Sequence, residues 1–181
     1  ARVLVVASGP ADRQETGSLF VTAAINAARR RVWLTTPYFV PDHSTRAALL
    51  LAAMRGVDVR VLIPARADHH TVYLSSKLHA HYTLRYGVRV FRYQPGFMHQ
   101  KVVLVDDDCA AVGSINLDPR SFRLNFEASA LVLDREFAAE VERMLEADFA
   151  LSREVHASEY LDASYLRRVA MHVARLFDPV L

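Results

Sequence analysis

A chain of 181 residues with 52% hydrophobic content can bury one sizeable core and argues for a single domain. Its formal charge of +2 argues against a nucleic-acid groove. One cysteine, Cys109, excludes an internal disulfide, and no run approaches the roughly 18 apolar residues of a membrane-spanning helix.

Residues 3–7 are an apolar run that reads as a short buried strand, closed by Ser8, Gly9 and Pro10. Residues 16–30 have helical spacing, with Phe20, Ala23, Ala24 and Ala27 on the expected inner side. Arg29, Arg30 and Arg31 close that helix, where positive charge favours the dipole. Residues 32–36 form the next strand and run into T-T-P-Y-F-V-P-D, whose Pro37 and Pro41 stop regular pairing and leave a shaped loop. Strand ends are where α/β folds place their sites, so Tyr38 and Phe39 are candidates for substrate contact, with apolar packing as the alternative. Ser44 is expected to cap a helix through Arg55, ended by Gly56. A strand over 57–63, a helix over 69–86 ended by Gly87, and a strand over 88–93 follow. This alternation implies the α/β class: a mixed, largely parallel β-sheet flanked by helices on both faces.

Four histidines, at 69, 70, 79 and 81, invite a metal reading. His79 and His81 are two apart and diverge on a helix, and no cysteine or paired carboxylate joins them, so no metal site is expected. Asp68 and His69 are expected to line the site instead. Further on, 125–133 alternates as a strand with Glu127 among its first inward residues. Residues 135–149 form a helix with Phe137, Val141, Met144 and Leu145 on one face. Residues 158–177 form a second amphipathic helix, whose Leu161, Tyr165, Val169 and Leu176 are expected to pack on the domain rather than on a membrane. One domain over 1–181 is expected, with 156–181 as a helical extension.

The chemistry concentrates between His99 and Glu127. Val102 to Val105 and Cys109 to Val112 read as two short strands joined by the turn Asp106-Asp107-Asp108. Side chains alternate along a strand, so His99 and Lys101 share a face, as do Ser114 and Asn116. Paired as a hairpin, the two open ends bring together an imidazole, an ammonium, a hydroxyl and an amide. That set suits a phosphodiester, which needs a nucleophile, an acid for the leaving oxygen and donors around its phosphoryl oxygens. Of the 22 basic residues only Lys77 and Lys101 are lysine, so at 101 a compact ammonium is preferred over the guanidinium used almost everywhere else.

The spacing H-x-K-x(4)-D followed by G-S-x-N resembles the phospholipase D superfamily, carried by His99, Lys101, Asp106, Gly113, Ser114, Asn116 and Glu127. The strings T-P-Y-F-V-P-D and Y-Q-P-G-F-x-H are similar to segments of bacterial cardiolipin synthases, in their C-terminal half. The resemblance implies a metal-free, cofactor-free ping-pong phosphoryl transfer through a phosphohistidine. In that scheme His99, Lys101, Asp106 and Glu127 are the catalytic candidates. Glu127 holds the imidazole, and Asp106 has a second reading as a structural tie of the turn. Lys101 and Asn116 hold the nonbridging oxygens, with Ser114 supporting them.

The mechanism needs two histidines on one phosphorus, and the chain holds one complete motif. A second half-domain, in the same parent chain or in a homodimer mate, is therefore implied. The absence of an initial Met favours an excised half of a longer enzyme. The resemblance further implies a phosphatidylglycerol substrate, a membrane surface as partner, and a place at the cytoplasmic face of the bacterial inner membrane, with the anchor in parts of the parent not present here. A phosphodiesterase on DNA acting as a homodimer, and an isolated half with no turnover of its own, stay open beside it.

Overall fold

The computed structural model describes residues 1–66 and 68–180. In chain order the elements begin β1 (Arg2–Ser8), α1 (Thr16–Ala27), β2 (Arg31–Thr35), α2 (His43–Met54), β3 (Asp58–Pro64), α3 (His70–Leu84) and β4 (Arg89–Tyr93). There follow β5 (Val102–Val105), β6 (Cys109–Gly113), α4 (Pro119–Arg123), β7 (Glu127–Leu133) and α5 (Arg135–Ala150). The chain ends in β8 (Ser152–Glu154), α6 (Ser158–Leu161), α7 (Tyr165–Arg175) and a 3₁₀ turn (Asp178–Val180).

The eight strands form one sheet in the order β1-β7-β6-β5-β2-β3-β4-β8, with helices on both faces as expected. The expectation of a largely parallel sheet is corrected. Only β2–β3 and β3–β4 are parallel, and the other neighbours are antiparallel. The two parallel pairs are those joined through α2 and α3. Among the antiparallel pairs only β5–β6 is closed by a tight turn, and the others join strands by longer connections or from far apart in the chain.

Strand alternation divides the core in two. Leu34, Val61 and Val90 face Ile25 and Leu49 under α1 and α2, while Trp33, Leu62 and Leu104 face Leu145 and Phe149 under α5. On α1 the buried residues are Val21 and Ile25 with Gly17 and Ser18, so the inner face is rotated from the one expected, and Ala23 and Ala27 are exposed. β1 is not buried. It is the edge strand, paired only with β7, and Val5 is 69% exposed.

Local chemistry sets the helix ends. Asp42, not Ser44, caps α2 by accepting from Thr45 N at 2.8 Å, and Ser44 donates its hydroxyl to Asp42. Gly56 and Gly87 end α2 and α3 at φ +85° and +91°, a region that L side chains rarely adopt. The expected single helix over 158–177 is two, because Ser164 restarts the chain by capping α7. α7 buries Met171 and Ala174, while Leu161 at the end of α6, Tyr165 and Val169 on α7, and Leu176 just past it are turned to solvent, opposite to the packing expected of them.

Candidate active site

Two loops are stitched into a floor. Thr36 Oγ1 accepts from Leu117 N at 3.2 Å and donates to Tyr38 O, while Val40 N donates to Leu117 O at 2.8 Å. Phe39 is fully buried in this stitch, bridged to Leu117, with its N–H donated to Ser76 Oγ. It packs in the core and is not a substrate contact, since the bridge turns alternate residues of the loop to opposite sides.

The β5–β6 hairpin places the candidate groups. Val102 lies opposite Val112, and Gly113 N donates to Lys101 O at 3.2 Å, extending the ladder past the strand end. His99 and Lys101 therefore leave one strand where Ser114 and Asn116 leave its neighbour, as the spacing implies. Gly113 is there for contact. A Cβ at this position would lie 2.1 Å from Ser129 Oγ and 2.4 Å from Ala128 O, so β6 and β7 approach only with a glycine between them.

Lys101 Nζ lies 3.0 Å from Nδ1 and 3.2 Å from Nε2 of His99, and donates to His99 O at 2.8 Å. His99 is exposed, with Tyr38 edge-on at 6.5 Å and Phe97 tilted at 5.7 Å between ring centroids. Burial pushes the Lys101 ammonium below its ordinary pKa, while the charges of Glu127 and Asp118 pull it back up. Tyr38 donates its hydroxyl to Asp68, and burial together with that carboxylate raises the phenol well above its ordinary range, so it stays a donor.

Beside this pair lies a cleft of about 520 Å³ lined by Tyr38, His69, Asn116, Asp118, Arg120 and Asn125. Asn116 is 9% exposed, and its Oδ1 is buried with no hydrogen-bond partner among the described residues. Asp118 caps α4 by accepting from Ser121 N at 2.7 Å. Burial, assisted by the nearby Glu127 charge, pushes its carboxyl up to about 6 despite that hydrogen bond.

The remaining candidates do other work. Glu127 Oε1 accepts from Ser121 Oγ at 2.7 Å and from Asn125 Nδ2 at 3.0 Å, and among the described residues it makes no hydrogen bond to His99. Ser114 exchanges bonds with Ala128, accepting from its N at 3.0 Å and donating to its O, so its hydroxyl ties β6 to β7. Asp106 sits at the far end of β5, at φ +50°, and accepts from Arg29 N, Arg30 N and Arg31 N at 3.1, 2.8 and 3.0 Å. Burial would raise its pKa, but these backbone donors outweigh it and hold the carboxyl below the usual range. Five residues of extended chain, roughly 16 Å, separate Asp106 from Lys101, so it is not part of the reacting cluster.

His69 lines the cleft, whereas Asp68 is not among its lining residues and meets it through the Tyr38 hydroxyl. His79 and His81 diverge: His79 is buried 2.7 Å from Asp178, whereas His81 stacks on Tyr160. Asp118, Arg120 and Asn125 were not anticipated. The available signal was the L-D-P string two residues past Asn116, where an Asp-Pro start of a short helix turns the cap toward the cleft.

A mixed α/β sheet with H-x-K on one strand end and G-S-x-N on its hairpin mate defines a phospholipase D-like half-domain. Two solved structures share the architecture. The phospholipase D family member Nuc from Salmonella typhimurium is 21% identical with a TM-score of 0.74, covering 86% of this chain and 98% of that one. Phosphatidylserine synthase of Haemophilus influenzae is 17% identical with a TM-score of 0.79, covering 99% of this chain and 48% of that one. Residues 21–149 match the family described as cardiolipin synthase, PLD-like domain, and the chain belongs to that family. Proteins named cardiolipin synthase A from Pseudomonas aeruginosa and Pseudomonas putida are 62% and 60% identical to it over 98% and 97% of its length. The chain spans only 36% and 37% of those relatives.

Proposed function

We propose that this chain supplies one of the two histidine half-sites of a phosphatidyltransferase that makes cardiolipin from two molecules of phosphatidylglycerol. An imidazole nitrogen of the partner half attacks the donor phosphorus as the bond to the leaving glycerol breaks, and His99 passes a proton to that glycerol oxygen. The hydroxyl of a second phosphatidylglycerol then gives its proton to His99 and attacks phosphorus, and the phosphorus–nitrogen bond breaks. Lys101 neutralises the nonbridging oxygens. The Asn116 amide donates to them from its Nδ2 end, and Tyr38 steadies the open side of the His99 ring. Glu127 and Asp118 keep Lys101 protonated in its half-buried place.

The observation that carries the reading is the exposed His99 ring against Lys101 Nζ, beside a cleft floored by Asn116, whose side-chain Oδ1 has no hydrogen-bond partner among the described residues. The incomplete motif set supports the second half-domain, either in the parent chain or as a mate. So does an apolar rim at the site, where Phe126 is 84% exposed and Leu124 flanks Asn125. The kinship in sequence supports the lipid substrate, and that substrate supports a membrane-associated parent, for which the cytoplasmic face is part of the proposal.

The test is product analysis. The protein as the cell makes it, incubated with phosphatidylglycerol vesicles, should release one glycerol per cardiolipin formed. Phosphatidic acid without cardiolipin would make it a hydrolase, and cleavage of DNA with no lipid turnover would replace the reading.

A further inference from the structure

Apart from the cleft, a cavity of about 320 Å³ opens between α3, β4, β8, α6 and α7. In the sheet order β4 is separated from β5 by β3 and β2, so this cavity lies roughly 14 Å across the sheet from the strand that carries His99. Tyr73, Lys77 and His81 come to it from one stripe of α3 at four-residue spacing. Arg92 and Arg153 come from β4 and β8, and Arg167 from α7.

The charge inside is unbalanced. Arg92 and Arg153 lie directly opposite each other on an antiparallel pair, an arrangement that costs stability unless answered. Glu159 answers both, at 2.6 Å to Arg92 and 2.9 Å to Arg153. Nothing answers the rest. Arg92 is 5% exposed, and its Nε is buried with no hydrogen-bond partner among the described residues. Lys77 rests its Nζ 4.5 Å from the centre of the Tyr73 ring, and among the described residues neither Lys77 nor Arg167 has a carboxylate partner. Burial first, and then the charges of Arg92, Arg167 and Arg153, push Lys77 down to about 8, with Glu159 as the one opposing carboxylate. His81 and His156 complete the wall and add no negative charge. Lys77 is also the only lysine besides Lys101, so this chain, otherwise devoted to arginine, places a compact ammonium at two cavities.

We propose that this cavity is a second anion site, which binds the phosphate group of a monoester or diester apart from the cleft at His99. Guanidinium forks from Arg92 and Arg167 with an ammonium from Lys77 form a donor set for tetrahedral oxyanions. The volume admits a phosphate with a glycerol-sized substituent. Such an anion can arrive free or as a lipid head group, and the exposed Leu166, Val169 and Val173 on the outer face of α7 make the second source worth an arm of its own.

The experiment reads thermal unfolding of the protein as the cell makes it, in phosphate-free buffer. It titrates inorganic phosphate and glycerol 3-phosphate against chloride at matched ionic strength. Phosphate at tenfold its Kd should raise Tm by about 3–6 °C over chloride. Lys101→Gln, which silences the other phosphate-holding site, should keep a rise, and adding Lys77→Gln or Arg167→Gln to it should abolish that rise. Without anion, Lys77→Gln should melt no lower than wild type, because a like charge has left the cluster.

A parallel arm floats the protein on phosphatidylcholine vesicles with and without phosphatidylglycerol. A response to soluble phosphate assigns a free ligand. Recruitment to the anionic vesicles alone, weakened at least threefold by Lys77→Gln, assigns a head group. The proposal is overturned if chloride reproduces the shift and vesicle binding ignores Lys77. It is equally overturned if the phosphate response disappears in Lys101→Gln and survives in Lys77→Gln.

Discussion

Asp118→Asn isolates the cost of a buried charge in the cleft. The asparagine keeps an Oδ1 to cap α4 through Ser121 N but cannot ionise. Wild-type Asp118 titrates near 6 in the fold against 3.8 when free, with burial as the main cause and the Glu127 charge adding to it. The folded protein therefore binds the Asp118 proton more tightly than the unfolded chain does. Wild-type stability falls as pH rises from about 4 to about 6, and is flat in this group on either side. A displacement of about two pKa units corresponds to about 3 kcal/mol. Urea unfolding of both proteins at pH 4, 5, 6 and 8 cancels in the difference the titrating groups that are not coupled to Asp118. Asp118→Asn should match wild type at pH 4 and exceed it by about 3 kcal/mol at pH 8, or about 6–12 °C in Tm. A difference that stays constant across the series, or a variant that is weaker at pH 8, would refute the placement of Asp118 as a desolvated carboxyl.

Two further substitutions separate scaffold from site. Asp106→Ala removes the acceptor for three backbone N–H groups of residues 29–31 and should cost about 2 kcal/mol in urea unfolding, while turnover well below Tm stays within twofold of wild type. A collapse of turnover in the folded variant would return Asp106 to the chemistry. Gly113→Ala must part β6 from β7 at Ser129 and Ala128, so the urea midpoint should fall by the equivalent of about 3 kcal/mol, and an unchanged midpoint would contradict the close approach.

The parts of the fold legible in the sequence are those fixed by near neighbours. The 102–112 hairpin announces itself because two short apolar runs flank three aspartates, and the ends of α2 and α3 because Gly56 and Gly87 take positive φ. Strand order depends on contacts far apart in sequence, so the antiparallel return of β5 onto β2 left no local mark. The same distance hid what Asp106 does: its partners, Arg29 to Arg31, lie about 75 residues away. Apolar content alone did not distinguish an edge from a centre, which is why β1 read as buried. In the site, His99, Lys101 and Asn116 were legible through strand alternation. Tyr38 and Phe39 could not be told apart, because the bridge to Leu117 decides which of them enters the core. Asp118 escaped because its distinction is desolvation, which no spacing records.

The central claim is that His99 moves the proton that lets phosphatidyl transfer proceed, and the most direct test is the rate of cardiolipin formation by His99→Ala in the protein as the cell makes it. Loss of a general acid–base that both half-reactions need should lower the rate by about a thousandfold, with Tm nearly unchanged because the ring is exposed and, among the described residues, hydrogen-bonded only to Lys101. A rate within a few-fold of wild type would contradict the account and move the reaction away from this strand end.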